Sequence, residues 1–301
     1  MCAAILCWSS VPLFLRHFAL TTKLDAWTVN GIRYGFAALL LSPCILSHRR
    51  RYPHGSAIWR DALVPAAVNT LGQIGWALAP YYLDAGIIGF GIRSSFLFAV
   101  LASFWLLPDE RYLLRTPSFW AGAACCLLGI VGLFAPSLRL GGTSLAGTLI
   151  LLGTAIVWGF YHVTVRKYMR PYPAFDSFAV ICCYTAAALL VLTFAVGKPR
   201  AVPATPAPAL ALVLGSAALG IAMAHVCMYS VVRRLGALIA SGAEFATPFI
   251  TSFGAFLLFG EQMSRAQWCG GGAVICGSLL MVVSYRPQDR SPARKPSTRS
   301  Q

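Results

Sequence analysis

Long apolar runs broken by short polar segments dominate this chain, and they are too long to be anything but membrane spans. The hydrocarbon core of a bilayer, about 30 Å thick, needs about 20 apolar residues in a helix. Runs meeting or nearing that length fall at about 2–20, 27–47, 61–83, 87–107, 119–135, 145–165, 174–196, 208–232, 237–259 and 266–285. None shows the alternation of a lipid-facing β-strand, and unpaired backbone groups in lipid cost several kcal/mol each, so helices are predicted. Some connections are very short, such as Asp84–Gly86. Neighbouring spans should therefore pack as antiparallel hairpins. The N-terminal run lacks the basic start and small-residue cleavage site of a signal peptide and is taken as the first span.

Composition agrees. The 301 residues are 58% hydrophobic and only 11% charged, against about 25% charged in soluble domains, and mean hydropathy is +0.70. A net charge of +15 would suggest nucleic acid in a soluble protein. Here the cations crowd into loops on one side of the predicted membrane. Segments 48–60, 108–118, 166–173 and 233–236, with the tail from Arg286, hold 16 of the 24 Lys and Arg. The other side has Lys23, Arg139, Lys198, Arg200 and Arg265, while Arg16, Arg33 and Arg93 lie inside spans. Positive loops stay in the cytoplasm, so both termini are expected there, with the cell (inner) membrane as location. The basic, Pro/Ser-rich tail 286–301 is expected to be disordered, with topology as its first role and anionic-lipid contact as its second.

The chain also repeats itself. ILCWSSVPLFLR (5–16) aligns with AIVWGFYHVTVR (155–166), setting Trp8 on Trp158 and Arg16 on Arg166. At the same offset, YGFAALLL (34–41) falls on YTAAALLV (184–191). Further on, Glu110 precedes Trp120, Gly122 and Gly129, as Glu261 precedes Trp268, Gly270 and Gly277, with the spacing W-x-G-x6-G in both. Each copy holds five spans, an odd number, so the second copy enters the membrane from the opposite side. The expected architecture is an all-α polytopic membrane protein of ten transmembrane helices in two inverted five-helix repeats, 1–136 and 137–285. Secondary transporters use such repeats to build two related conformations around a midplane site. By this alignment the first span is about five residues short at its cytoplasmic end, which questions whether Met1 is the true start.

Two five-helix repeats, an early Trp in each first helix, the second helix GIRYGFAALLL, and an acidic residue closing each fourth helix (Glu110 in LLPDE, Glu261 in LFGE) resemble the EamA branch of the drug/metabolite transporter superfamily. The likeness spans residues 1–285; the order and duplication of its loose motifs carry it. It implies ten helices and a central cavity lined mainly by the first four helices of each repeat. It also implies export or uptake of small metabolites. One departure stands out: the family's proline in each fourth helix is present as Pro248, but Leu97 occupies the matching place. A kink is therefore expected to be missing from span 4.

Ionisable groups inside spans are costly and turn toward water, substrate or each other. Glu244 is the one acidic residue deep in a span, and an offset of 151 sets it opposite Arg93. Straight helices at about 1.5 Å per residue put the two about 12 Å apart along the membrane normal. They are therefore expected to line one cavity without touching, a direct ion pair or snorkelling being the alternatives. Arg33, at a depth similar to Arg93, either faces the cavity or snorkels to a loop. His225, near Glu244 in depth, is a packed core histidine or a member of a proton relay. Asn69, Gln73 and Trp76 share one face of span 3 and either line the cavity or bond between helices. Tyr229 and Tyr161 are weaker candidates. Glu110 and Glu261 are expected to cap the helix that follows each.

The sequence thus favours a secondary transporter of a small polar or amphipathic metabolite. Arg93 and Arg33 suggest a carboxylate on the substrate, with proton coupling through Glu244 and His225. A non-transporting scaffold or sensor remains open, and an intramembrane enzyme is the weakest reading. No P-loop GxxxxGK[ST] or HExxH occurs. The first span lacks the acidic residue on which small multidrug exporters of the same superfamily depend. Of ten cysteines, Cys7, Cys44, Cys125, Cys126, Cys182, Cys183, Cys227 and Cys276 lie in apolar runs, without metal-ligand spacing; packing explains them. No cofactor or metal is expected. The expected partners are a small-molecule substrate and the lipid bilayer, not nucleic acid; a monomer and a homodimer both remain open.

Overall fold

The computed structural model describes residues 2–51, 57–106, 115–140, 142–227 and 244–284. Among these, the helices are α1 (Cys2–Thr21), α2 (Ala26–Arg51), α3 (Ile58–Tyr81), α4 (Ala85–Leu106) and α5 (Pro117–Leu140). The second set comprises α6 (Gly142–Tyr168), α7 (Ala174–Ala195), α8 (Ala207–Cys227), α9 (Thr247–Phe259) and α10 (Arg265–Ser284). Nine of the described helices are long and apolar enough to cross a membrane; α9 is a shorter apolar helix. Of the predicted span 237–259, only the part from Glu244 falls among the described residues.

The bundle turns its apolar side chains outward and its polar ones inward, as lipid requires. Trp105, Val283 and Phe194 are 81%, 75% and 73% exposed, whereas Arg33 is 1% exposed and Asn69 3%. Helix neighbours follow a twofold relation between the repeats. α5 packs on α10, α2 on α7 and α4 on α9, each pairing equivalent helices. α6 packs on α3 and α4 of the first repeat, and α1 reciprocally on α8 and α9 of the second. The first helix of each repeat is thus inserted into the other, which binds the halves around a shared interior.

The α5–α10 seam shows what the repeated W-x-G-x6-G motif is for. A Cβ on Gly122 would lie 2.8 Å from the Gly277 carbonyl oxygen, and one on Gly277 would lie 2.5 Å from the Gly122 carbonyl. Only hydrogen side chains allow backbones this close.

Span 4 lacks the proline but is not uniformly α-helical. α4 narrows to a 3-10 turn at Ile92–Ser94 between two α-helical stretches, without proline. Ser94 Oγ donates to the Gly91 carbonyl within this turn at 2.7 Å, while Pro248 stands in the first turn of α9 in the other repeat. A second irregularity, a π-helical stretch at Ala218–Met223, interrupts α8. Such bulges concentrate at functional sites.

Candidate functional site

Both irregular turns border one central cavity of about 180 Å³. Its walls come from both repeats: Trp8, Val11 and Pro12 of α1; Arg33 and Tyr34 of α2; Asn69, Gln73 and Trp76 of α3; Gly89, Ile92, Arg93 and Ser95 of α4. The second repeat adds Trp158, Tyr161 and His162 of α6, Gly220, Ile221 and His225 of α8, and Glu244, Thr247 and Thr251. Eight sequence candidates therefore meet around one space: Arg93, Glu244, Arg33, Asn69, Gln73, Trp76, His225 and Tyr161. Tyr229 and Glu110 lie outside the described residues.

Arg93 and Glu244 are in direct contact, contrary to the expected separation. Arg93 Nη1 is 2.9 Å from Glu244 Oε2, and Nη2 donates to Thr247 Oγ1 at 2.6 Å. Thr247 Oγ1 passes the chain on, donating to the Glu244 carbonyl at 2.7 Å. The two meet because both lie where their helices depart from regular α-geometry. Arg93 is in the 3-10 turn, and Glu244 precedes a turn at Phe245–Ala246 that leads into α9. The long guanidinium arm covers the remainder. Arg93 Nε stays buried without an acceptor among the described residues.

Polar residues on α3 divide between the two roles left open for them. Asn69 Nδ2 donates to Thr185 Oγ1 of α7 at 3.0 Å, an interhelical bond, while also bordering the cavity. The Gln73 backbone carbonyl accepts from Asn30 Nδ2 at 2.9 Å, tying α2 to α3, while the Gln73 side chain borders the cavity. Trp76 meets Trp158 with ring centroids 5.0 Å apart and planes tilted by 41°. Gly72 makes this meeting possible, since a Cβ there would run into the Trp158 ring.

His225 packs between aromatic rings at the cavity wall. Its ring stacks on Phe178 at 3.8 Å between centroids and meets Trp8 edge-on at 5.9 Å. Nδ1 lies 2.7 Å from the Ile221 carbonyl; a carbonyl only accepts, so Nδ1 carries the hydrogen. Trp8 and Trp158, equivalent in the two repeats, thus hold equivalent places against α8 and α3. Sequence reasoning used them to find the repeat yet missed them as cavity walls, because apolar aromatics are unremarkable inside a membrane span. Their position opposite each other in the alignment was the available signal.

At one end of the bundle a charged cluster joins the repeats. Arg16 Nε donates to Glu261 Oε1 at 2.6 Å, Nη2 to Asp84 Oδ1 at 2.8 Å and Nη1 to the Pro80 carbonyl at 2.7 Å. Glu261 Oε2 accepts from the Ala85 N–H at 2.8 Å. Glu261 therefore caps α4 of the opposite repeat, not the α10 that follows it. The capping chemistry expected for an anion at a helix start holds, with a different helix as its object. Burial and the nearby Asp84 carboxylate push the Glu261 carboxyl above the usual range, against the opposing pull of Arg16 and the Ala85 N–H.

Fold and site together define a polytopic membrane transporter of two inverted repeats around a polar cavity. The sequence profile of the EamA-like transporter family matches residues 1–135 and 145–283, and the chain belongs to that family as an integral multi-pass membrane protein of the drug/metabolite transporter type. Among curated proteins none matches it. Nineteen chains of solved structures do. One of them, described as "Crystal structure of protein", shares 19% identity over 93% of this chain and 94% of its own, with a TM-score of 0.61. At that identity the likeness is one of fold.

Proposed function

We propose that this protein is a secondary carrier that moves a small polar or amphipathic metabolite through the cavity between its repeats by alternating access. The observation that carries the reading is the composition of that cavity. Both repeats supply its walls, and costly polar and charged groups face it, not lipid. Inverted-repeat carriers place their sites at such an interface.

Alternating access needs a seal on either side in turn. The Arg16–Glu261–Asp84 cluster is one such seal, joining α1 and the α3–α4 turn of the first repeat to the end of α9. Charge bias in the loops puts this end outside the cell. The state described here is then closed outward. Proton coupling falls to Glu244 and His225. A proton on Glu244 cancels its charge, frees Arg93 Nη1 and changes what the cavity binds. A proton on the His225 ring, whose Nδ1 faces the Ile221 carbonyl, adds positive charge to the same space.

The test is uptake by proteoliposomes of the purified chain, run with and without an imposed pH gradient. Gradient-stimulated uptake that Glu244→Gln makes indifferent to pH supports the coupled carrier. Unchanged uptake and pH dependence in Glu244→Gln removes the coupling role, and the absence of uptake of any solute removes the carrier reading.

A further inference from the structure

Among the described residues Arg33 is the largest fully buried side chain, at 1% exposure, and it borders the central cavity. Its Nε donates to Ser216 Oγ at 3.0 Å, and that hydroxyl donates to the Val213 carbonyl at 2.7 Å. Among the described residues no carboxylate lies within ion-pair distance of it. Glu244 is engaged by Arg93, and Glu261 and Asp84 by Arg16. Gly220, within the π-helical stretch, lies beside Nη2 and Val11: a Cβ there would lie 3.6 Å from Nη2 and 2.5 Å from Val11 Cγ2.

Among the described residues the charge of the cavity is therefore unbalanced. Among them Arg93 and Glu244 cancel, and Arg33 adds one positive charge; His162 and His225 can only add to it, and the Tyr34 and Tyr161 phenols are neutral at neutral pH. Hydrogen-bonding capacity is unbalanced in the same sense. Arg93 Nε and Trp158 Nε1 are buried without an acceptor among the described residues, and guanidinium and indole nitrogens donate only. A buried cation without a counter-charge is expensive. Surplus donors beside it call for a ligand that brings acceptors and negative charge. The Trp76–Trp158 pair offers that ligand an apolar, aromatic wall.

We propose that the substrate is an organic anion of one net negative charge, its acidic group held by Arg33 and its planar apolar body set against Trp76 and Trp158. This rests on the carrier reading and goes beyond it by fixing the charge class. A zwitterion brings no net charge and leaves Arg33 uncompensated; a cation adds to the surplus.

Four probes of one shape and different charge test this: indole-3-acetate (net −1), indole-3-acetamide (neutral), tryptophan (zwitterion) and tryptamine (net +1). Binding is read from the Tm of the purified wild-type chain as each is titrated, with benzoate and hexanoate as further acids. The expected result is a rise in Tm with indole-3-acetate and a smaller rise or none with the other three indoles. In Arg33→Gln its affinity falls about 10- to 100-fold, the range for a lost charged hydrogen-bonding partner, and Arg33→Lys recovers part of it. Trp158→Phe, which keeps Arg33 and the wall but deletes the indole N–H, weakens the acid by a smaller factor; this variant serves if Arg33→Gln does not fold. A Tm response to tryptophan or tryptamine equal to that of the acid, acid affinity unchanged in both variants, or no response to any acid overturns the proposal. Uptake of the zwitterion or the cation in proteoliposomes, with no response to acids, leaves the carrier and removes the anion site. Binding of the acid without uptake of any probe does the reverse.

Discussion

Arg93 Nη1 and Glu244 Oε2, 151 residues apart at equivalent positions of the two repeats, form an ion pair 2.9 Å long across the central cavity. Opposite charges at the matched place of an inverted repeat meet near the axis that relates the repeats. The pair therefore belongs to the seam on which the halves would move. It leaves the cavity wall polar without adding net charge.

Neutralising one partner of this pair strands the other in a poorly solvated space, and removing one member of a buried pair costs about 3–5 kcal/mol. With side chains 19% and 28% exposed, the cost here is expected below that range. Arg93→Gln and Glu244→Gln should each lower Tm, and the double variant should recover part of the loss. Equal and additive losses in a double-mutant cycle would show that the two charges are not coupled.

The Arg16 cluster should behave as a releasable seal. Glu261→Gln keeps the size of the side chain but gives up the charge that Arg16 meets at 2.6 Å, so solute access from the Arg16 end should rise. The sign of the pH effect follows from the raised carboxyl. Protonation sets in above the ordinary glutamate value of about 4.3, so access from that end should increase already at mildly acidic pH. The part of stability that this group contributes through its raised value is full below the ordinary value and is lost as pH rises through the raised one. Thiol-reagent accessibility against pH, in wild type and Glu261→Gln, measures the effect. The variant should be open and flat with pH; a wild-type profile without slope contradicts the seal.

Gly277→Ala should fold poorly or not at all. A Cβ there lies 2.5 Å from the Gly122 carbonyl and 2.6 Å from Cys126 N, and backbone cannot rotate away as a side chain does. Overpacking costs about 1–3 kcal/mol where side chains can adjust; this site should reach the upper part. Tm and monodispersity in detergent are the readouts, and a variant as stable as wild type would contradict the close seam.

Asp25 gives a prediction of opposite pH sign. Burial raises its carboxyl, but hydrogen bonds from the Thr28 hydroxyl and from the Thr28 and Lys198 backbone N–H groups outweigh this and hold it low. Oδ1 also accepts from the Trp27 N–H at 3.0 Å, which caps α2. Asp25→Ala should cost about 1 kcal/mol at neutral pH, as cap removals do. A lowered folded value means the contribution is present above the ordinary aspartate value of about 3.9 and fades as pH falls through the folded one. The Tm difference between wild type and variant should therefore shrink in acid; a difference constant with pH would contradict it.

Much of this was legible in the sequence because membrane proteins invert the usual ambiguity. A polar side chain in an apolar run has few reasons to be there, which is how Arg33, Gln73 and Glu244 pointed to one cavity before their contacts were known. The repeat was legible because Trp8 and Trp158, and the two W-x-G-x6-G motifs, keep their spacing. What stayed hidden depends on departures from straight helices and on contacts between repeats. The 3-10 turn at Ile92–Ser94 has no proline to announce it, and it brings Arg93 to Glu244. Nothing in LFGE reveals that Glu261 reaches Ala85 and Arg16, both in the other repeat. Trp158 was hidden as a wall residue by being apolar in an apolar place.

The central claim is that one cavity between the repeats opens alternately to the two sides, and Ser95, on its wall, reports on it directly. In a background freed of the ten native cysteines, Ser95→Cys is labelled with a membrane-impermeant thiol reagent added from one side or the other, with and without Arg16→Gln. The account predicts that wild-type Arg16 holds the ratio of rates toward the end opposite the cluster, and that Arg16→Gln shifts it toward the Arg16 end. A cysteine unreactive from both sides, or a ratio that Arg16→Gln leaves unchanged, would contradict it.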